Sequence, residues 1–254
     1  MSTAIISGAS RGLGLALARS LAQHGWRLVI DARGADDLQR AATELDRLTD
    51  VRAIAGDITD AWHREALVDA AGDRIDLLVN NASILGPSPQ PPLADYPLDV
   101  LQRVYAINVL APLALIQLAL PLMPDGAGVV NVTSDAAVEP YEGWGGYGSS
   151  KAALDQLTAI LAAERPVLRV YAVDPGDMRT RMHQEAFPGE DISDRPPPER
   201  SVPGLLELIG SSLPAAATRP GRSWPARCRH DRAGLRAAAR VGGDIASGGT
   251  GPGA

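Results

Sequence analysis

Cysteine is nearly absent. Cys228 is the only one in 254 residues, which excludes a disulfide framework or a cysteine-based zinc site within one chain and fits a reducing compartment. Basic residues are outnumbered, with a formal net charge of -6 and a pI of about 5.2. That balance leaves no basic footprint for nucleic acid, and the Arg-rich stretch near the C-terminus is local. The chain enters a β-like run at residues 3–6 without the basic, apolar and small-residue succession of a signal peptide, so a cytoplasmic location is expected. His24, His63, His183 and His230 are scattered and compose no metal motif. One apolar run, residues 104–123, is about long enough to cross a bilayer. Asn108, Pro112, Gln117 and Pro121 interrupt it and no polybasic flank follows. This favours a helix covered by sheet and partner surface over a membrane span.

What is present is an alternation of short β-branched and Leu-rich runs with helical patterns, the signature of βαβ units. Strands are expected near residues 3–7, 27–31, 51–55, 76–80, 128–133 and 167–173, each short enough to be buried on both faces. Helices are expected to begin near Gly12, Ala35, Asp60, Leu98 and Gly146. The predicted fold is a single α/β domain, a Rossmann-type doubly wound parallel sheet with helices on both faces. Right-handed crossovers place its strand ends and helix N-termini on one ligand-binding edge. This domain is expected to span residues 1–213, its regular pattern dissolving from residue 174 to 203. Within it, residues 176–203 are polar and Pro-rich and read as a lid, with a short helix expected near 202–209. Residues 214–254 turn to Ala, Arg, Gly and Pro and read as a poorly ordered tail, leaving a seventh strand open.

The first strand runs into Ser7-Gly8-Ala9-Ser10-Arg11-Gly12-Leu13-Gly14 and then an amphipathic helix. Glycines between a strand and a helix let the backbone approach a pyrophosphate, while free N–H groups and the helix dipole favour the anion. With this loop come, in order, Asp57, Asn80-Asn81-Ala82, Asn108, Ser134, Tyr147-Gly148-Ser149-Ser150-Lys151 and Pro175-Gly176. Together they resemble the short-chain dehydrogenase/reductase family over roughly the first four-fifths of the chain. The resemblance implies that Gly8, Ser10, Arg11, Gly12, Leu13 and Gly14 hold the cofactor phosphates. It puts Asp57, with Ile58 beside it, at the adenine, and Asn80 and Ala82 beside the bound cofactor. Two positions depart from the family pattern. Ser7 replaces the usual Thr and keeps a hydroxyl, whereas Ser83 stands where Gly normally follows Asn-Asn-Ala and would put a side chain near the adenosine ribose.

Tyr147 and Lys151 are four apart, one helical turn from each other on one face. A nearby ammonium and the positive nicotinamide favour phenolate, so the phenol, with a reference pKa of about 10, is expected to fall toward working pH. Tyr147 then serves as general acid/base. By resemblance Lys151 also holds the nicotinamide ribose, Ser134 hydrogen-bonds the substrate oxygen, and Asn108 anchors water in a proton relay. The step from Ser134 to Tyr147 matches the family spacing. Pro175, Gly176, Met178 and Thr180 resemble the loop that receives the nicotinamide carboxamide.

The resulting expectation is an oxidoreductase interconverting a carbonyl and an alcohol on a small molecule that the sequence does not identify. NADP(H) is the expected cofactor, because Arg33 after the second strand and Arg11 in the loop are placed to grip a 2′-phosphate. NAD(H) is the alternative, because a one-residue slip would bring Asp31 to the ribose. Asp135, Glu139 and Glu142 read first as a solvated loop and second as a wall for a basic substrate. The competing functions are a cofactor-binding regulatory protein and the family's epimerase or dehydratase branch. By resemblance, a homodimer is expected through the helices near 98–120 and 146–164.

Overall fold

Neighbouring side chains of a strand point to opposite faces, so an uninterrupted apolar run needs cover on both. In the computed structural model, which describes residues 1–210 and 236–237, the six expected runs form strands and a seventh short strand joins their sheet. They are β1 (Thr3–Ile6), β2 (Arg27–Ala32), β3 (Val51–Ala55), β4 (Leu77–Asn80), β5 (Gly128–Val132), β6 (Arg169–Asp174) and β7 (Arg236–Ala237). Their spatial order is β3-β2-β1-β4-β5-β6-β7, with only β7 antiparallel to its neighbour. The chain turns back across the sheet between β1 and β4, the switch point at which such sheets open a crevice. The seventh strand that the sequence left open is two residues long, pairing Ala237 with Val173 and Arg236 with Asp174. The other expectations for the tail lie outside the described residues.

The helices are α1 (Gly12–Gln23), α2 (Ala35–Leu45), α3 (Ala61–Ala71), α4 (Leu98–Tyr105), α5 (Ala111–Ala119), α6 (Gly145–Glu164), α7 (Arg181–Ala186) and α8 (Val202–Gly210). Period two divides the sheet between them. Ala4, Ile6, Leu28, Ile30, Leu77 and Val79 face the buried side of α1, α2 and α8. Ile5, Val29, Leu78, Val129 and Val170 face α3 and α5. Most of these side chains are completely buried, and each contributes about 1.5–3 kcal/mol of apolar transfer. The run Leu98–Leu122 is long and apolar enough to cross a membrane, but half of its most apolar window is buried inside the protein. Ala111, Leu115, Ile116 and Ala119 pack on the sheet.

Two details differ from the sequence expectation. The helix expected from Leu98 onward is broken by a π-helical turn, Ala106–Leu110. Pro112, in the first turn of α5, has no N–H to give the Asn108 carbonyl four residues back, so the regular ladder lapses there. The segment after β6 is folded rather than patternless. It contains α7 and a 3₁₀ turn, Pro198–Arg200, and is tied down by the buried Ser201 hydroxyl donating to the Pro175 carbonyl at 2.8 Å.

A buried polar chain links the sheet to α6. Asn80 Nδ2 donates to Asn131 Oδ1 at 2.8 Å, Asn131 Nδ2 donates to Thr158 Oγ1 at 2.8 Å, and Thr158 Oγ1 donates to the Leu154 carbonyl at 2.6 Å. Asn131→Ala strands two buried groups at once and is expected to cost on the order of 2–4 kcal/mol. The check is urea unfolding against wild type. A loss below about 1 kcal/mol would mean that the chain contributes no more than an ordinary hydrogen bond.

Candidate active site

The crevice is built where β1 and β4 end. The Ser7 hydroxyl accepts from the backbone N–H groups of Asn81 and Ala82, both at 3.0 Å, and Asn81 Nδ2 donates to the carbonyls of Ser7 and Gly8 at 2.9 and 3.0 Å. Gly8 has φ +68°, and a Cβ there would stand 2.9 Å from Ala82 Cα, so both conformation and space require glycine. A Cβ on Gly14 would lie 2.6 Å from both the Gly8 carbonyl oxygen and Asn81 Nδ2, which makes Gly14 a packing glycine. Arg11 at the N-cap of α1 offers no side-chain cap, leaving the first N–H groups of the helix for a ligand.

Below this loop opens a cavity of about 2110 Å³. That is roughly twice the upper size of an ordinary small-molecule pocket, room for a dinucleotide with a substrate beside it. Gly8, Ser10, Arg11, Gly12, Leu13, Arg33, Asp57, Ile58, Ala82, Ser134, Tyr147, Lys151, Pro175, Gly176, Met178 and Thr180 all line it. Gly14, Asn80 and Asn108 do not. Asn80, expected beside the cofactor, instead turns into the sheet toward Asn131. The uncapped helix, the glycine cradle and the cavity size together fit a dinucleotide.

At one end, burial would push the Asp57 carboxyl up. The Thr59 amide and hydroxyl and the Arg103 guanidinium outweigh it and hold Asp57 at about 2. Arg103, on α4, is a residue that sequence reasoning missed, because its pairing with Asp57 spans α3 and β4. Asp31 lines the cavity as well, with both carboxylate oxygens already engaged inside the protein. Its Oδ1 accepts from the Gly8 N–H at 2.7 Å, and its Oδ2 lies 3.0 Å from Nε2 of the buried His63. Arg11 and Arg33 line the cavity without an ion-pair partner among the described residues.

At the other end, α6 presents Tyr147 and Lys151 one turn apart, with Lys151 Nζ 5.5 Å from the Tyr147 ring centre. Lys151 is the only lysine in the sequence. It is 3% exposed and donates to the Val132 carbonyl at 2.7 Å, while burial pulls its pKa down to about 8 against Asp155. The Tyr147 phenol departs from the expected fall. Burial foremost, then the Asp174 carboxylate, pushes it up; the Ser134 hydroxyl pulls it down, Asp135 pushes it up, and the Ser83 hydroxyl pulls it down. Ser83 itself turns toward Asn108, its hydroxyl donating to Asn108 Oδ1 at 3.1 Å. Ser134 donates to Asp135 Oδ1 at 3.0 Å, and Tyr141 donates to Asp135 Oδ2 at 3.0 Å. Asp135 and Glu139 line the cavity and Glu142 does not. Trp144 packs edge-on against both Tyr141 and Tyr147, at 6.2 and 5.9 Å, and Phe187 lies 5.9 Å from it, forming an aromatic wall.

Residues 2–191 match the family model described as short chain dehydrogenase. The chain is 38% identical over 200 residues to sepiapterin reductase of Meriones unguiculatus, covering 72% of this chain and 76% of that protein. It is 33% identical over 234 residues to the (S)-benzoin-forming benzil reductase of Saccharomyces cerevisiae, covering 84% and 86%. The RhlG/NADP active-site complex of Pseudomonas aeruginosa superposes with a TM-score of 0.72 at 30% identity, covering 83% of this chain and 90% of that one.

The buried Lys151 carries a stability cost. Its pKa falls from 10.5 to about 8 on folding, so the unfolded chain holds the proton more tightly and protonated Lys151 disfavours the fold below that window. At about 1.4 kcal/mol per unit the cost is on the order of 3 kcal/mol at neutral pH. Without cofactor, Lys151→Met is therefore expected to melt above wild type at pH 7, the gap closing as pH rises from 8 toward 10.5. Thermal melts across that range decide it. A gap that stays constant with pH would assign the difference to packing.

Proposed function

Because the chain belongs to the short chain dehydrogenase family, we propose that it is an NADP(H)-dependent oxidoreductase that interconverts a carbonyl and an alcohol, with Tyr147 as general acid/base. The observation that carries this reading is the convergence of Ser134, Tyr147 and Lys151 on the cavity that the glycine loop opens.

The bound cofactor supplies hydride chemistry. Arg33 and Arg11 bind the 2′-phosphate, and the engagement of both Asp31 oxygens inside the protein supports that choice over NAD(H). The α1 N-terminus and the glycine loop take the pyrophosphate, Asp57 the adenine, and the Pro175–Thr180 loop the carboxamide. Lys151 holds the ribose hydroxyls. Ser134 leaves Asp135 to donate to the substrate carbonyl and fix its orientation. Tyr147 gives its proton to the developing alkoxide in reduction and takes one from the alcohol in oxidation. Asn108 anchors water in a proton relay, its carbonyl lacking only the i+4 donor that Pro112 cannot supply. The wall of Tyr141 and Trp144, with Phe187 packed against Trp144, favours a substrate with a flat, apolar body. Leu98, Leu110 and Ile160, exposed at 72%, 58% and 43% on α4, the π turn and α6, support a homodimer through these helices.

Tyr147→Phe keeps the ring and removes the proton, so turnover of a ketone accepted with NADPH is expected to fall at least about 100-fold while NADPH binding is preserved. Stopped-assay rates and NADPH fluorescence titration separate the two. Near-wild-type turnover would refute the acid/base assignment. Arg33→Ala is expected to weaken NADPH roughly 10-fold or more and leave NADH nearly unchanged, because only the former loses a charge-assisted contact. Equal loss for both cofactors would remove Arg33 from the choice between them.

A further inference from the structure

Asp31 and His63 form a buried pair at the end of the cavity that Arg33 and Asp57 line. Asp31 stands next to the end of β2, and His63 lies in the first turn of α3. Their side chains are 2% and 6% exposed, and His63 Nε2 is 3.0 Å from Asp31 Oδ2. A carboxylate only accepts, so the imidazole gives the hydrogen. The other carboxylate oxygen takes the Gly8 N–H at 2.7 Å. The ring has a seat made for it: a Cβ on Gly56, just after β3, would stand 2.3 Å from His63 Nδ1, so glycine there is what admits the imidazole. Asp31 and Gly56 line the cavity and His63 does not, which puts the imidazole on the protein side of the carboxylate.

The position gives that carboxylate two ways to act on a nucleotide. It is two residues from Arg33 and lines the same cavity as Arg33 and Arg11. There, a free carboxylate oxygen accepts from a ribose hydroxyl and repels a phosphate carried on the same ribose. Asp57, the other carboxylate that ends a strand here, is answered by Thr59 and the Arg103 guanidinium. Asp31 has the Gly8 N–H and His63 instead. The Gly8 N–H fixes one oxygen on the glycine loop, and His63 alone decides where the second one faces.

We propose that His63 is a positioning residue that sets the choice of cofactor: by holding Asp31 Oδ2 on the protein side, it withholds the carboxylate from a ribose hydroxyl and keeps the cleft fit for a 2′-phosphate. The inference rests on the NADP(H) reading and deepens it. Arg33 and Arg11 supply the attraction for the phosphate, and His63 removes the competing charge. Without the imidazole, Oδ2 is a buried anion lacking its donor, and the hydroxyls of an unphosphorylated ribose become the nearest replacement that a ligand can bring.

The test is fluorescence titration of the full chain with NADPH and with NADH, with thermal melts to show that each variant is folded. His63→Leu fills the space without a donor. It is expected to weaken NADPH and tighten NADH, moving the ratio of the two Kd values at least about tenfold, the effect of one hydrogen bond to a charged group. Where His63→Leu does not fold, His63→Asn, whose amide stops short of Oδ2, is read in its place. His63→Gln carries an N–H as far out as Nε2 and is expected to return the ratio to within about twofold of wild type. In an Asp31→Asn background there is no carboxylate to release, so His63→Leu is expected to move the ratio less than about twofold. A merely structural role would loosen the Gly8 loop and weaken both cofactors equally, since both carry the pyrophosphate. Equal weakening, or an unmoved ratio, overturns the proposal, as does a full shift in His63→Gln or one that persists with Asp31→Asn. If the wild type shows no preference for NADPH, the NADP(H) reading falls and the proposal with it. If the wild type prefers NADPH and the His63 variants leave that preference unmoved, the proposal alone falls.

Discussion

The ends of β1 and β4 are clasped by two side chains, Ser7 and Asn81, and the rest of the site is hung from that clasp. A switch point separates neighbouring strands in sequence and would gape if nothing bridged it. The Ser7 hydroxyl takes two backbone N–H groups and returns one hydrogen bond to Val79, while Asn81 secures the first turn of the glycine loop from the other side. Gly8 can then lie directly on Ala82. Asp31 completes the hold by taking the Gly8 N–H, so the loop is tied to β2 and, through His63, to α3. The crevice is rigid at its floor before any ligand enters.

Much of this was legible in one dimension because it follows short-range rules. Strand burial on both faces wrote itself as unbroken apolar runs, and the starts of α1, α2 and α4 fall where the patterns begin. The glycine loop and the Tyr147–Lys151 pair depend on spacing within a turn or two, and both face the cavity. What sequence did not convey depends on contacts between distant segments. Arg103 reaches Asp57 across 46 residues, and Asn80 meets Asn131 across 51. The motif marked Asn80 by its place in the chain and gave no sign that its side chain bonds within the sheet. Ser83 is the opposite case. Read as an added side chain near the ribose, it lines the cavity and also bonds Asn108, an acceptor that no local pattern reveals.

The electrostatics around Tyr147 and Lys151 show two groups held away from their ordinary ionisation. Burial lowers Lys151 and raises Tyr147, so each is pushed toward its uncharged form. Neither is a comfortable member of a core. They are kept there by α6, a long helix anchored on the sheet through Thr158 and Asn131, which spreads the local cost over a large packed element.

The arginine-for-lysine bias of the chain has a consequence for its covalent chemistry. Every surface cation among the side chains is a guanidinium or an imidazole, and the single ε-amine lies at the bottom of the cofactor cleft. Acylating reagents, carbamylation and lysine-directed transferases thus find no peripheral side-chain amine on which to act harmlessly. With Lys151 in its proposed role at the nicotinamide ribose, any mark of that kind would compete with the nucleotide for the same atom, and the acylation state of one nitrogen would record how long the cleft has stood empty.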